Sequence, residues 1–212
     1  MHGLTLYKNN RGFTLVELLV SMAVFGIIVG LIVNQYSSQQ DSQLTQNQVV
    51  EMQQNIRNAL IIMTRDIQMA GFDPEISRTL GIVNAGDGSN GNPLTFTYSV
   101  ADDGKDNDGD GTTDESGEFQ TIQYSLYDFP TLAPDGDMDI GRAVGAGGNQ
   151  AIAENIQALL FTYLDGNGNP TAVIGDMRAV QVTITATTDI RELRRVADNR
   201  TVTAIIKFRN IF

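Results

Sequence analysis

Glu17 is the residue whose chemistry most needs an explanation. It is the single ionisable side chain in the 21 residues from Phe13 to Val33, FTLVELLVSMAVFGIIVGLIV. A carboxylate placed in hydrocarbon costs several kcal/mol unless it is neutralised, paired or able to reach an interface. Four residues before Glu17 lies the Gly12–Phe13 bond. A cut there would create an α-amino group about one helical turn away, where it could meet the carboxylate of the same or a neighbouring chain. A small residue such as Gly12 also fits a narrow protease subsite.

The second stretch able to do chemistry is Asp102-Asp103-Gly104-Lys105-Asp106-Asn107-Asp108-Gly109-Asp110-Gly111. Asp106, Asp108, Asp110 and Gly111 match the opening of a calcium loop, in which alternate oxygens turn inward and glycine allows the tight bend. Asp114 stands at a later ligand position, and the closing glutamate is absent, since its place falls on Gly117 with Glu118 one step late. The sequence therefore offers Asp102, Asp106, Asp108, Asp110 and Asp114 as oxygen ligands for Ca2+ in a cage looser than an EF-hand. The competing reading is a solvated acidic loop. Asp135, Asp137 and Asp139 show the same alternate spacing. Asp165-Gly166-Asn167-Gly168-Asn169-Pro170 has a proline where a calcium loop wants glycine, and reads as a reverse turn between strands.

Other chemistries are excluded by residue type. The chain has no cysteine, which removes disulfides, thiolate metal sites and cysteine nucleophiles, and its one histidine is His2. A histidine triad or a histidine-ligated zinc centre in the body of the chain is thereby ruled out. No nucleophile stands beside a base and no phosphate-cradling glycine loop follows a strand, so the sequence reads as a non-enzyme that requires no cofactor. The formal net charge is −11, which argues against nucleic acid as a direct partner. The charge is uneven. Residues 101–140 carry 12 acids and one base, whereas residues 178–212 carry seven bases and three acids.

The elements that would position Glu17 are legible. A 21-residue helix rises roughly 30 Å, about the thickness of a bilayer's hydrocarbon. Its basic leader, with Lys8 and Arg11 and no acid, predicts a cytoplasmic N-terminus and an exported remainder. The apolar run is too long for an ordinary signal core and lacks a small-x-small cleavage pattern at its far end; on these grounds alone a plain signal-anchor is the alternative. Gly26 and Gly30 form a small-xxx-small pair that would allow close helix approach; the alternatives are local weakening of the helix and ordinary glycine usage in a membrane helix. Residues 36–70 contain no proline or glycine, and Val49, Met52, Ile56, Leu60, Met63 and Ile67 form one apolar stripe, broadened by Ile61 and Ile62. The helix should end at Ala70-Gly71, which predicts roughly 87 Å of helix from Phe13 onward.

These residues carry a resemblance. Arg11-Gly12-Phe13-Thr14-Leu15-Val16-Glu17-Leu18 is similar to the processing motif of type IV pilins and type II secretion pseudopilins. The resemblance implies cleavage after Gly12 by a prepilin peptidase, N-methylation of Phe13, and registration of the subunit through Glu17 against a neighbour's N-terminus. Farther along, Ala158–Asp165, Arg178–Ile184, the terminal strand and Met69-Ala70-Gly71-Phe72 resemble PilW-type minor pilins and the related J-type minor pseudopilins. That resemblance does not extend to the acidic insert.

After Pro74 the texture changes to strands and turns. The expected strands are Leu80–Val83, Leu94–Val100, Phe119–Leu126, Ile156–Tyr163, Ala179–Thr187 and Thr201–Phe208, with a short helical turn at Ala153–Ile156. The resulting expectation is a pilin-like α+β fold, a long N-terminal hydrophobic helix packed on a largely antiparallel sheet. It divides into a cleaved leader, 1–12, a transmembrane or filament-core helix, 13–35, an amphipathic continuation, 36–71, and an exported domain, 72–212, with an acidic loop at 101–118. The implied function is that of a minor pilin helping to initiate or cap a type IV pilus; the alternative is a J-type pseudopilin of a secretion pseudopilus tip. The implied partners are the prepilin peptidase and methyltransferase, other minor pilins and the major pilin, or pseudopilins. The implied location is the inner membrane as a single-pass store, then a pilus or periplasmic pseudopilus.

Overall fold

The computed structural model describes residues 12–74, 80–100, 104–107, 109–113, 118–128, 138–188 and 199–211. Helix α1 runs from Leu15 to Met69, and neither Gly26 nor Gly30 interrupts it. Seven strands follow: β1 (Ile82–Ala85), β2 (Leu94–Ser99), β3 (Phe119–Tyr127), β4 (Met138–Val144), β5 (Gln150–Leu164), β6 (Ala179–Thr187) and β7 (Asn199–Lys207). They form one sheet in chain order, every neighbouring pair antiparallel. Antiparallel neighbours in chain order need no crossover connection.

The chain divides into two compact units, Met1–Thr45 and Gln46–Phe212. In the first, every described residue from Gly12 to Leu44 is exposed, including Leu19, Phe25 and Leu31. The helix is long and apolar enough there to cross a membrane. In the second unit, Met52, Ile56, Ala59, Met63 and Ile67 line one face of α1 at spacings of three and four, and all are buried against the sheet. The opposing side chains are the inward members of the strands, among them Phe96, Ile122, Tyr124, Ile140, Val182 and Ile184. Phe96 and Tyr124 stack with ring centroids 6.4 Å apart. Each such side chain, fully buried, contributes about 1.5–3 kcal/mol, so this stripe fixes which side of α1 meets the sheet.

The end of α1 falls where the sequence placed it. Gly71 adopts φ +76°, a left-handed position that glycine takes without a Cβ penalty. Its N–H donates to Thr97 O at 2.9 Å, and Ser99 N–H donates to Phe72 O at 2.7 Å. The chain leaving the helix is thereby tied to β2.

Three expectations need correction. Ile61 does not broaden the buried stripe; it is 61% exposed, because one residue past Leu60 is a rotation of ~100° away from it. Ala153–Ile156 is strand, since β5 begins at Gln150. The signal that looked helical is a bulge: Asn155 has φ +59°, and the pairing shifts register between Met138/Ile140 on β4 and again between Ile156 and Ala158 on β5. An inserted residue breaks the two-residue alternation by which a strand is read. Strand β4 was not expected at all. Its sequence, MDIGRAV, mixes an acid, a base and a glycine into the inward–outward pattern.

Candidate functional site

The first turn of α1 carries a reciprocal cap. Thr14 Oγ1 accepts the Glu17 backbone N–H at 3.3 Å. In return Glu17 Oε2 accepts the Thr14 backbone N–H and its hydroxyl, each at 2.9 Å. Leu18 N–H donates to Thr14 O at 3.2 Å, the first bond of the helix. This is a capping box, in which a threonine and a glutamate three residues apart satisfy N–H groups that the first helical turn leaves without partners. The carboxylate also sits at the positive end of the helix dipole. Ser21 hydroxyl adds a bond to Glu17 O at 2.7 Å.

Gly12 and Phe13 lie immediately before this cap. A Cβ at Gly12 would meet no heavy atom within 4 Å, and Phe13 is 86% exposed. The residue that a cut after Gly12 would make N-terminal is next to Thr14. Sequence reasoning on Glu17 missed its partnership with Thr14, although Thr-x-x-Glu ahead of an apolar run is a signal for it.

The comparisons with known proteins bear on this segment. Residues 7–33 match the family model described as a prokaryotic N-terminal methylation motif. The chain carries that motif ahead of a long helix and an antiparallel sheet, a pilin-like α+β fold. It is 40% identical over 63 residues to a pilin-like protein, PilA3, of Thermus thermophilus. That match covers 29% of this chain and 26% of the relative, so it spans about a quarter of the relative's length.

The acidic residues divide into those described and those not. Asp102, Asp108 and Asp114 lie outside the described residues, as do Asp135 and Asp137. Asp106 Oδ1 accepts Gly109 N–H at 2.6 Å and its Oδ2 accepts Gly111 N–H at 2.9 Å. Asp110 Oδ1 accepts Thr112 N–H at 2.8 Å. Glu118 is buried and accepts the N–H of Asn107. These carboxylates thus hold the turns of their own segment. Among the described residues, no group of three or more histidine, cysteine, aspartate or glutamate side chains is arranged to hold a metal ion. Asp139 is buried on β4.

Asp165 closes the β5–β6 connection as a turn. Its Oδ1 accepts the N–H groups of Asn167 and Asn169, both at 2.8 Å. The backbone bond from Asn169 holds this exposed carboxyl below its ordinary range against the opposing effect of desolvation, with further help from Asn167.

Proposed function

We propose that this pilin-like chain is a minor pilin that helps initiate or cap a type IV pilus, entering the assembly through its N-terminal helix. The observation that carries the reading is the combination of a methylation motif at residues 7–33 with an apolar run, Phe13–Val33, that is exposed throughout. A helix that is apolar all round requires lipid or other helices around it. In this reading the membrane stores the subunit, a prepilin peptidase cuts after Gly12, methylation follows at Phe13, and neighbouring helices replace the lipid. Glu17 then serves twice: it caps its own helix through Thr14, and it offers a carboxylate to the α-amino group of an adjacent subunit. The absence of cysteine supports a minor subunit, since major pilins commonly close their C-terminal region with a disulfide.

The test is capture of the crosslinked full chain from cell envelopes. Recovery with a major pilin and other minor pilins is the expected result. Recovery with I- and K-type pseudopilins would replace this reading with a J-type role in a secretion pseudopilus. Recovery with neither set would overturn assembly as the function.

A further inference from the structure

The two edges of the sheet are unlike. At one edge β1 has only four residues, and its pairing with β2 shifts register between Ile82 and Asn84. A short, irregular edge strand resists the addition of another strand. At the other edge β7 has nine residues in unbroken register with β6, from Ala179–Lys207 to Thr187–Asn199. The six residues Thr201–Ile206 contain no charge, proline or glycine, so nothing in them blocks pairing on the far side. Among the described residues no strand does so.

Beside this edge, α1 and β7 enclose an open groove of about 620 Å³. Leu60, Ile61 and Val202 supply apolar lining, while Arg57 and Arg65 from α1 and Arg200 from β7 supply charge. Among the described residues no aspartate or glutamate lines it. All three arginines are exposed, and none forms an ion pair among the described residues. Arg142 differs, since it is committed to Asp66. Three cations on an apolar groove therefore stand out in a chain whose net charge is −11.

We propose that this groove receives an extended acidic segment of a neighbouring, different pilin-like subunit, added as a strand along the free edge of β7. Main-chain bonds to β7 would supply affinity, apolar side chains would rest on Leu60, Ile61 and Val202, and carboxylates would reach the three guanidinium groups. Charge complementarity selects the occupant: a basic partner, or an electroneutral apolar one, would leave the arginines unanswered or repelled. The proposal rests on the reading of the chain as an assembly subunit, and names the surface by which its domain chooses a neighbour.

Photo-crosslinking of the full chain in its native membrane tests it. Benzoylphenylalanine is placed at Ile61 in the groove and, in a second chain, at Phe25 in the apolar helix, and adducts are sequenced. The expected Ile61 adduct is another pilin-like subunit, joined through an acidic peptide. Its yield should fall at least about fivefold in the Arg57→Glu, Arg200→Glu variant, with the Phe25 adducts unchanged. If Phe25 yields subunit adducts but Ile61 yields none, or yields only lipid, nucleic acid or a second copy of this chain, the groove proposal is wrong while the assembly reading stands. An Ile61 adduct that survives charge reversal also overturns the proposal. Silence at both positions overturns both readings.

Discussion

Arg142 Nε on β4 donates to Asp66 Oδ2 on α1 at 2.7 Å, and the side chains are only 22% and 13% exposed respectively. Tyr124 hydroxyl on β3 donates to the same oxygen at 2.6 Å. One helix carboxylate thus joins two strands, at a point flanked by the buried Met63 and Ile67. Burial alone would lower the Arg142 pKa, but the hydrogen bond and charge of Asp66 outweigh it and raise it above the usual arginine value.

Removing Arg142 should therefore cost more than losing one surface ion pair. Arg142→Met leaves Asp66 largely desolvated with Tyr124 alone, and should destabilise the domain by about 2–4 kcal/mol. Asp66→Asn keeps an acceptor for Tyr124 and should cost about half as much. Denaturant unfolding of the full chain in detergent measures both; equal, near-zero effects would show that the contact does not hold helix to sheet.

Alkaline pH should weaken the same region. Burial, then the charge of Asp66, push the Tyr124 hydroxyl well above its ordinary pKa, and burial followed by the charge of Asp87 does the same at Tyr163. The Tyr163 hydroxyl donates to Gly86 O at 2.7 Å, a bond that requires its proton. Each folded-state pKa exceeds the unfolded value near ~10. The stabilisation is therefore complete below that pH and is lost as pH rises toward the folded values. Between about pH 10 and 12, each tyrosine should reduce stability by ~1.4 kcal/mol per pH unit. Tyr124→Phe should flatten that slope by about one proton's worth, read from unfolding midpoints across the interval.

Gly71 is expected to be intolerant of a side chain. Its φ of +76° is unfavourable for any L-residue with a Cβ, and an added Cβ would lie 3.0 Å from Asn210 O and from Ile211 Cγ1. Asn210 Nδ2 meanwhile donates to Gln68 O at 3.1 Å, so the C-terminal residues cannot withdraw without releasing a helix carbonyl. Gly71→Ala should lower stability by about 1–3 kcal/mol. Gly91→Ala shares the positive φ, at +85°, but meets nothing within 4 Å, and should cost less; thermal melting of the two separates strain from contact.

What the sequence made legible followed from regular periodicity. The stripe from Met52 to Ile67 and the strict alternation in β6 repeat one rule over several turns or residues, and the α+β fold followed from them. Ala59 was overlooked because a small side chain adds little to an apolar pattern, yet it is wholly buried, where its size lets the helix approach the sheet. β4 and the start of β5 were obscured because Asp139, Gly141 and the Asn155 bulge interrupt alternation, and their burial is fixed by strands distant in sequence. At the N-terminus the resemblance made Gly12, Phe13 and Glu17 conspicuous, but drew attention from Thr14 as Glu17's local partner. The groove beside β7 had no linear signature, because Arg57 and Arg200 come together only through the packing of α1 against the sheet edge.

The double duty proposed for Glu17 separates by substitution. Thr14→Ala removes one half of the capping box and should cost about 1 kcal/mol of local helix stability, while leaving the carboxylate in place. Glu17→Gln keeps a side-chain oxygen for the Thr14 N–H but loses the charge. If Glu17 acted only as a cap, Thr14→Ala would impair filament incorporation and Glu17→Gln would be nearly silent. If its charge meets a neighbour's α-amino group, the order reverses: Glu17→Gln and Glu17→Ala should insert in the membrane normally but enter filaments poorly, while Thr14→Ala is mildly affected. Quantifying each variant in membrane and sheared-filament fractions decides between them. The second order is expected, because a cap is satisfied within one subunit and gives no register between two, whereas a carboxylate in an apolar bundle gains a strong partner in the α-amino group of a cleaved neighbour.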